Sequence, residues 1–305
     1  MELWIPITIA AAFLQNVRSA LQKALTGRLS PGGATYSRFC YALPFIAVYV
    51  AVLVWGFDFE LPAPNLRFAV FAALGGIAQI TGTFALVYLF TLRNFAVGNA
   101  YSKTETVQTA LVGIVVLGDP ITGGVAMAML VALGGVVALS VGKGQLNARS
   151  LLTGFTDRAA LMGIGSGALF GLSAVFYRAA ALSLADADSS PTDFWIHAAF
   201  TLALVLIWQT LVMGAWLAWR EPGQLKAVLG AWKIAGYVGA SGTLASIGWF
   251  TAMTIQNAAY VRALGQIELV FTFIVSTLVF REKSNAIEIV GIALIVSGIL
   301  ILVLQ

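Results

Sequence analysis

Ten long apolar stretches dominate this sequence, and they limit the folds that it can adopt more than any other feature. A helix needs about 20 mostly apolar residues to cross the hydrocarbon core of a membrane. By that measure the sequence predicts ten spanning helices, near 4–24, 35–56, 67–90, 96–117, 123–141, 160–181, 194–219, 232–253, 259–280 and 287–304. The connections between them are short and carry helix breakers, such as Pro31-Gly32-Gly33 and Asp119-Pro120. We therefore predict an all-α integral membrane protein.

The composition excludes most other classes of protein. Only 10% of the 305 residues are charged, compared with about 25% in soluble domains, and the mean hydropathy is +0.92. Cys40 is the only cysteine, which excludes a disulfide scaffold, and His197 is the only histidine, which argues against a histidine-based metal site. No run of Lys or Arg indicates a nucleic-acid partner. We expect no cofactor and no enzyme activity, because the sequence has no His/Cys cluster, HExxH motif, nucleophile elbow or phosphate-binding loop.

The two halves of the sequence resemble each other. A shift of 163 positions places Glu105 on Glu268 and Asp119 on Glu282. The same shift aligns Val107 with Val270, Thr109 with Thr272, Val112 with Val275 and Gly135 with Gly298. We place the boundary in the polar, basic stretch from Gly142 to Arg158, so that the halves are residues 1–147 and 148–305. Because each half has an odd number of predicted helices, the second must enter the membrane from the opposite side, as in the inverted repeats of secondary transporters.

Two matched stretches, residues 105–119 and 268–282, resemble the signature of the drug/metabolite transporter superfamily, EamA type. That signature runs from Glu-Pro through an apolar helix with small residues to Gly-Glu, before the last helix of each half. The resemblance implies a ten-helix carrier with a central cavity lined by both halves. Members carry amino acids, metabolites, choline-like cations, nucleotide sugars and drugs. Thr106 and Leu269 stand where proline is usual, so we expect the fourth and ninth helices to be straighter than in other members.

Two acids are predicted near the middle of the membrane. Glu105 lies about nine residues into the fourth predicted helix, roughly 13 Å deep at 1.5 Å per residue, and Glu268 is equivalent in the ninth. A charged group at that depth needs a partner or a wet cavity. Such a pair suits proton coupling or the binding of an ammonium group. The alternative is that the two glutamates pair with a resident base and hold the bundle together.

The deep bases bear on the sign of the substrate. Lys103 is two residues from Glu105, so these side chains point to different flanks of the helix. Asn99 and Lys103 share a face, and the repeat places Arg262 and Gln266 at the matching positions; Arg18 lies deep in the first helix. Three deep bases against two acids favour an anionic group on the substrate, such as that of an amino acid or organic acid. Alternatively, the bases neutralise the glutamates or extend to the membrane surface.

The remaining candidates have a structural and a functional interpretation. Tyr101, Trp249 and Tyr260 are candidates to line the cavity, although aromatic residues in apolar helices are more often packing residues. Three bases near helix ends are predicted to be interfacial anchors: Lys23, Arg38 and Arg178. Asp119 and Glu282 are predicted to cap the last helix of each half.

Charges in the loops give conflicting evidence on orientation. If loops alternate between the two sides, most loop Lys and Arg residues fall on one side, and Asp58, Glu60, Asp186 and Asp188 fall on the other. The positive-inside rule then places both termini outside, whereas the family resemblance implies cytoplasmic termini. We favour the charge count.

We predict a secondary active transporter of a bacterial inner membrane that exports a small polar metabolite, with protons as the coupling ion through the midplane glutamates. Its other expected partner is membrane lipid, and its expected state is a monomer or homodimer. A lipid or lipid-linked sugar flippase of the same fold is the main alternative, ahead of an integral-membrane enzyme or a channel.

Overall fold

The computed structural model describes residues 2–91, 102–142, 158–185, 189–278 and 285–304, and within these ranges it is helical with no strand. The described helices are α1 (Trp4–Leu25), α2 (Pro31–Cys40), α3 (Leu43–Gly56), α4 (Leu66–Thr91), α5 (Glu105–Leu117), α6 (Gly123–Gly142), α7 (Arg158–Leu182), α8 (Phe194–Arg220), α9 (Gln224–Gly230), α10 (Trp232–Ile255), α11 (Ala258–Leu264), α12 (Ile267–Leu278) and α13 (Ala286–Val303). The predicted boundary between the halves, together with Asn99, Tyr101 and Glu282, lies outside the described residues.

Six segments of the described chain are long and apolar enough to cross a membrane: Pro31–Gly56, Leu66–Leu89, Gly123–Val141, Leu161–Leu182, Phe194–Arg220 and Ala286–Val303. The all-α membrane fold is therefore confirmed, whereas the count of ten spans stays a prediction. Helices α1 and α10 are long but are not among the six, because α1 carries polar residues such as Gln15 and Arg18 and α10 is rich in Gly, Ser and Thr. These two helices pack against each other, and polar residues such as Arg18, Gln22 and Thr243 are buried, so that their side chains avoid contact with lipid.

The most extensive helix contacts join the two predicted halves: α6 with α13, α4 with α7, and α1 with α10. The contact of α6 with α13 depends on glycine, which lets the two backbones approach closely. A Cβ on Gly135 would lie 2.6 Å from the carbonyl oxygen of Gly291, and one on Gly298 would lie 2.7 Å from that of Ala128. The shift of 163 positions that aligns Gly135 with Gly298 also aligns Ala128 with Gly291. The same backbone contact is therefore made twice, with the halves exchanged.

The expectation of a straighter ninth helix is wrong. Helix α11 ends at Leu264 and α12 begins at Ile267, and two hydrogen bonds across the break span only three residues, from Gln266 N to Ala263 O (3.2 Å) and from Glu268 N to Gly265 O (3.2 Å). The break is made without a proline, and the indole ring of Trp249 packs beside it. A Cβ on Gly265 would lie 2.6 Å from Cη2 of that ring.

Both glutamates lie in the first turn of a helix. Glu105 is the first residue of α5, after a turn at Lys103 and Thr104, and Glu268 is the second residue of α12. The positive end of a helix dipole stabilises a carboxylate in this position by typically 0.3–1 kcal/mol. Each carboxylate therefore lies at the end of a helix where the dipole is favourable to negative charge.

We expect Gly135→Ala and Gly298→Ala each to destabilise the protein by about 1–3 kcal/mol, since each added methyl group meets backbone atoms and forces the helices apart. Gly134→Ala is the matched control, because a Cβ there would meet no described atom within 4 Å. Thermal unfolding in detergent measures the difference. Equal melting temperatures for Gly134→Ala and Gly135→Ala would contradict the described contact.

Candidate functional site

A cavity of about 300 Å³ lies in the interior of the bundle, and helices of both halves form its wall. Polar, charged and aromatic side chains line it, among them Gln15, Asn16, Arg18, Lys23, Arg38, Gln79, Lys103, Glu105, Tyr177, Trp249, Phe250, Arg262 and Glu268. Its volume is at the lower end of the range for small-molecule sites. Five of the lining side chains are basic and two are acidic, so the wall carries an excess of positive charge.

Two ion pairs cross between the halves inside this cavity. The ammonium group of Lys103 pairs with Oε1 of Glu268, and Nη1 of Arg262 lies 3.0 Å from Oε1 of Glu105. Lys103 does not form an ion pair with Glu105 of its own half. This agrees with the two-residue spacing, which points the two side chains to different flanks of the helix. Each glutamate is therefore neutralised by a base of the opposite half. In this conformation the charged groups of Lys103 and Arg262 are therefore engaged by carboxylates of the protein, and their roles in substrate binding stay predictions.

Neighbouring amides extend the contacts of Glu268. Gln15 Nε2 donates to Glu268 Oε2 (3.2 Å), and Asn16 Nδ2 donates to the main-chain oxygen of Glu268 (3.4 Å). Gln266 Nε2 donates to Thr106 Oγ1 (2.7 Å) and to the main-chain oxygen of Lys103 (3.4 Å). Gln266 thus ties the two halves together next to the cavity rather than lining it.

The predicted aromatic residues divide between the two roles. Trp249 lines the cavity and stacks under the guanidinium of Arg262, with Cζ 4.9 Å from the ring centroid. This contact and the ion pair with Glu105 hold Arg262 from two directions. Tyr260 packs against the hydrophobic cluster around Trp4 and Ala258 and is not among the described residues that line the cavity.

Arg18 and Arg38 differ from the other two bases. They are 5% and 7% exposed, both line the cavity, and neither has a carboxylate within 4 Å in the described part of the chain. Arg18 Nη2 has only a long contact with Ser19 Oγ (3.5 Å), and Arg18 Nε has no hydrogen-bond partner. Arg38 Nη1 donates to Thr83 Oγ1 (3.0 Å). The cavity thus contains two buried guanidinium groups without a counterion from the described protein.

The predictions for three helix-end residues are corrected. Arg38 is not an interfacial anchor, because its side chain is buried and lines the cavity. Arg178 is not an anchor either, since its Nη1 donates to the main-chain oxygens of Met253 (2.6 Å) and Gln256 at the end of α10. Asp119 was predicted to cap α6, but its carboxylate lies 3.6 Å from Nε of Arg178. At the start of α6 the side chain of Thr122 accepts a hydrogen bond from Val125 N instead (3.3 Å). Lys23 is exposed and lines the cavity.

A buried polar cluster in the cavity wall was not predicted. Tyr177 OH donates to Gln79 Oε1 (3.0 Å), and Gln209 Nε2 donates to the same oxygen (2.8 Å) and to Tyr177 OH (3.0 Å). The cluster joins α4, α7 and α8. The signal in the sequence is two glutamines in the middle of apolar helices, where an amide side chain needs a partner in the interior.

Comparisons with known proteins agree with this architecture. The model of the EamA-like transporter family matches residues 157–304, which lie within the second predicted half and include Arg262 and Glu268. A solved structure described as "Crystal structure of protein" resembles the whole fold, with a TM-score of 0.68 and 16% sequence identity over 99% of this chain and 96% of the other. At that identity the likeness concerns the fold alone. No curated protein matches the sequence.

We expect Lys103→Met and Glu268→Gln to lower the free energy of unfolding by about 3–5 kcal/mol each, because each leaves a buried charge without its partner. The double variant Lys103→Met/Glu268→Gln should lose much less than the sum of the two. The mismatched double variant Lys103→Met/Glu105→Gln is the control, since it removes the oppositely charged partner of both Glu268 and Arg262. Additive losses in both double variants would contradict the crossed pairing.

Proposed function

We propose that this protein, whose residues 157–304 match the model of the EamA-like transporter family, is a secondary carrier that moves a small polar metabolite through the cavity between its halves. The observation that carries the proposal is the cavity of about 300 Å³, which is charged although three membrane-spanning segments, Pro31–Gly56, Leu66–Leu89 and Leu161–Leu182, contribute to its wall. Charged groups in such a bundle mark substrate or ion pathways in membrane proteins.

The proposed architecture is ten helices in two inverted repeats, residues 1–147 and 148–305. The repeated contact of Gly135 with Gly291 and of Gly298 with Ala128 supports it, because a two-fold relation between the halves makes each such contact occur twice. The helix breaks before Glu105 and Glu268 support it as well, since carriers of this design place discontinuous helices at the binding site. Alternate opening of the two ends would follow from rocking one half against the other.

Export across a bacterial inner membrane and coupling to protons belong to the same proposal. Protonation of Glu105 or Glu268 would remove the charge that holds Arg262 or Lys103. The released base would then become available to a substrate or to a changed contact between the halves. Proton binding and rearrangement of the cavity would be linked through the two ion pairs.

Lipid flipping is the alternative that the same fold supports. An apolar groove of about 280 Å³ between α4 and α8 is lined by Ile77, Ile80, Thr81, Phe84, Val212, Met213 and Trp216. It shares no lining residue with the charged cavity. A lipid would need its headgroup in the charged cavity and its acyl chain in the apolar groove at the same time. Because the two spaces share no lining residue, this arrangement is disfavoured relative to the carrier.

A ligand screen tests the carrier proposal. Detergent-purified protein is heated with amino acids, organic acids, quaternary amines and nucleotide sugars at several pH values. A ligand bound only by the native state at 100 times its dissociation constant stabilises that state by about 2.7 kcal/mol, which raises the melting temperature. We expect at least one polar metabolite to do so. Stabilisation by lipids alone would replace the carrier proposal with lipid flipping.

Proton coupling has its own test in proteoliposomes loaded with a metabolite identified by that screen. We expect Glu105→Gln or Glu268→Gln to abolish the pH dependence of its transport, because glutamine cannot release a proton. Glu60→Gln is the control, since Glu60 is exposed and lies outside the cavity. If both cavity variants keep the rate and the pH profile of the unmodified protein, the coupling role is wrong.

A further inference from the structure

The acidic groups of the cavity wall have counterions from the described protein, whereas two of the basic groups do not. Glu105 and Glu268 each have a base of the opposite half as a counterion, so neither carboxylate is open to an incoming ammonium group. The two acids among the described lining residues are therefore both engaged. A zwitterionic amino acid or a quaternary amine would have to displace Arg262 or Lys103 in order to bind its cation.

Arg18 and Arg38 present the opposite situation. Each is more than nine-tenths buried and borders the cavity without a protein carboxylate in the described chain. An uncompensated charge in an environment of low dielectric constant is unfavourable, and an anion that enters the cavity would remove that cost. The planar guanidinium group matches a carboxylate with two parallel hydrogen bonds.

Arg18 and Arg38 line the same cavity, and the aliphatic parts of their side chains pass the same residue of α10. A Cβ on Gly242 of α10 would lie 3.2 Å from Cδ of Arg18 and 3.9 Å from Cγ of Arg38. Glycine at this position leaves room for both side chains. Arg18 comes from α1 and Arg38 from α2, so a carboxylate that contacts both would join two helices of the first half.

We propose that the substrate of the carrier is a small organic acid whose carboxylate binds between Arg18 and Arg38, and that amino acids and quaternary amines are poor substrates. The substrate class follows from the unpaired arginines and the neutralised glutamates, and it rests on the carrier function proposed above. The rest of the cavity is suited to the body of such a molecule. Trp249, Phe250 and Tyr177 provide aromatic surface beside the charged groups.

The test is a thermal-shift titration of the full-length protein with acetate, succinate, 2-oxoglutarate and citrate, and with succinamide, alanine and choline as probes without a net negative charge. We expect at least one of the acids to raise the melting temperature and the uncharged, zwitterionic and cationic probes to leave it unchanged. In Arg18→Met and Arg38→Met we expect the affinity for that acid to fall about 30-fold or more, because a buried charge pair is lost. Arg67→Met is the matched control, since Arg67 is exposed and stacks on Phe71 outside the cavity.

The melting temperature without ligand separates a binding role from a structural one. If Arg18 is a binding residue without a counterion, Arg18→Met should be as stable as the unmodified protein or more stable, while its response to acid is lost. If Arg18 holds the fold together, the variant should melt earlier.

Three results would overturn the proposal: none of the four acids stabilises the protein, both arginine variants keep the affinity of the Arg67→Met control, or alanine or choline binds as tightly as the acids. Counterflow in proteoliposomes distinguishes failure of the organic-acid proposal alone from failure of the carrier function. Exchange of labelled choline or alanine without exchange of the acids would leave the carrier function standing and remove the organic acid as its substrate.

Discussion

The structure depends on how two carboxylates are kept charged inside a membrane bundle. A lone charge in the hydrocarbon region costs several kcal/mol, so Glu105 and Glu268 need counterions there. The chain supplies each of them from the other half, Arg262 for Glu105 and Lys103 for Glu268. The helix starts at these residues add a favourable dipole. Because the pairs cross, the electrostatics of one half are complete only when it packs against the other.

Pairing of the acids with bases leaves positive charge in the cavity without a counterion from the described protein. Two acids neutralise two bases, and Arg18 and Arg38 remain buried without a carboxylate in the described chain. Side chains chosen for stability alone would not leave two guanidinium groups in this state, because neutral residues of similar volume would cost less. Ligand-binding sites often lower the folding stability of the ligand-free protein in this way, and binding of the ligand restores it. The proposed substrate therefore completes an electrostatic arrangement that the protein leaves open.

Much of this site is predictable from the sequence, but its pairings are not. Repeated apolar stretches predict the membrane fold, and the matched glutamates with their nearby bases predict where the polar interior lies. Depth along a helix does not say which neighbour a side chain meets, so the sequence left ion pairing and substrate binding open for Lys103 and Arg262. Arg38 is buried beside Thr83 of α4, a contact between separate helices that its position near a predicted helix end does not indicate. The ring of Trp249 packs beside the break at Gly265, a contact between distant segments that no local pattern in the sequence indicates.

The most direct test of the central claim is an experimental structure of the full-length protein with succinate bound. We expect a succinate carboxylate at about 2.7–2.9 Å from guanidinium nitrogens of both Arg18 and Arg38, the usual length of charge-assisted hydrogen bonds, while Glu105 and Glu268 keep Arg262 and Lys103 as partners. Succinate bound away from both arginines, or Arg18 and Arg38 paired with carboxylates of the protein itself, would contradict this account of the cavity.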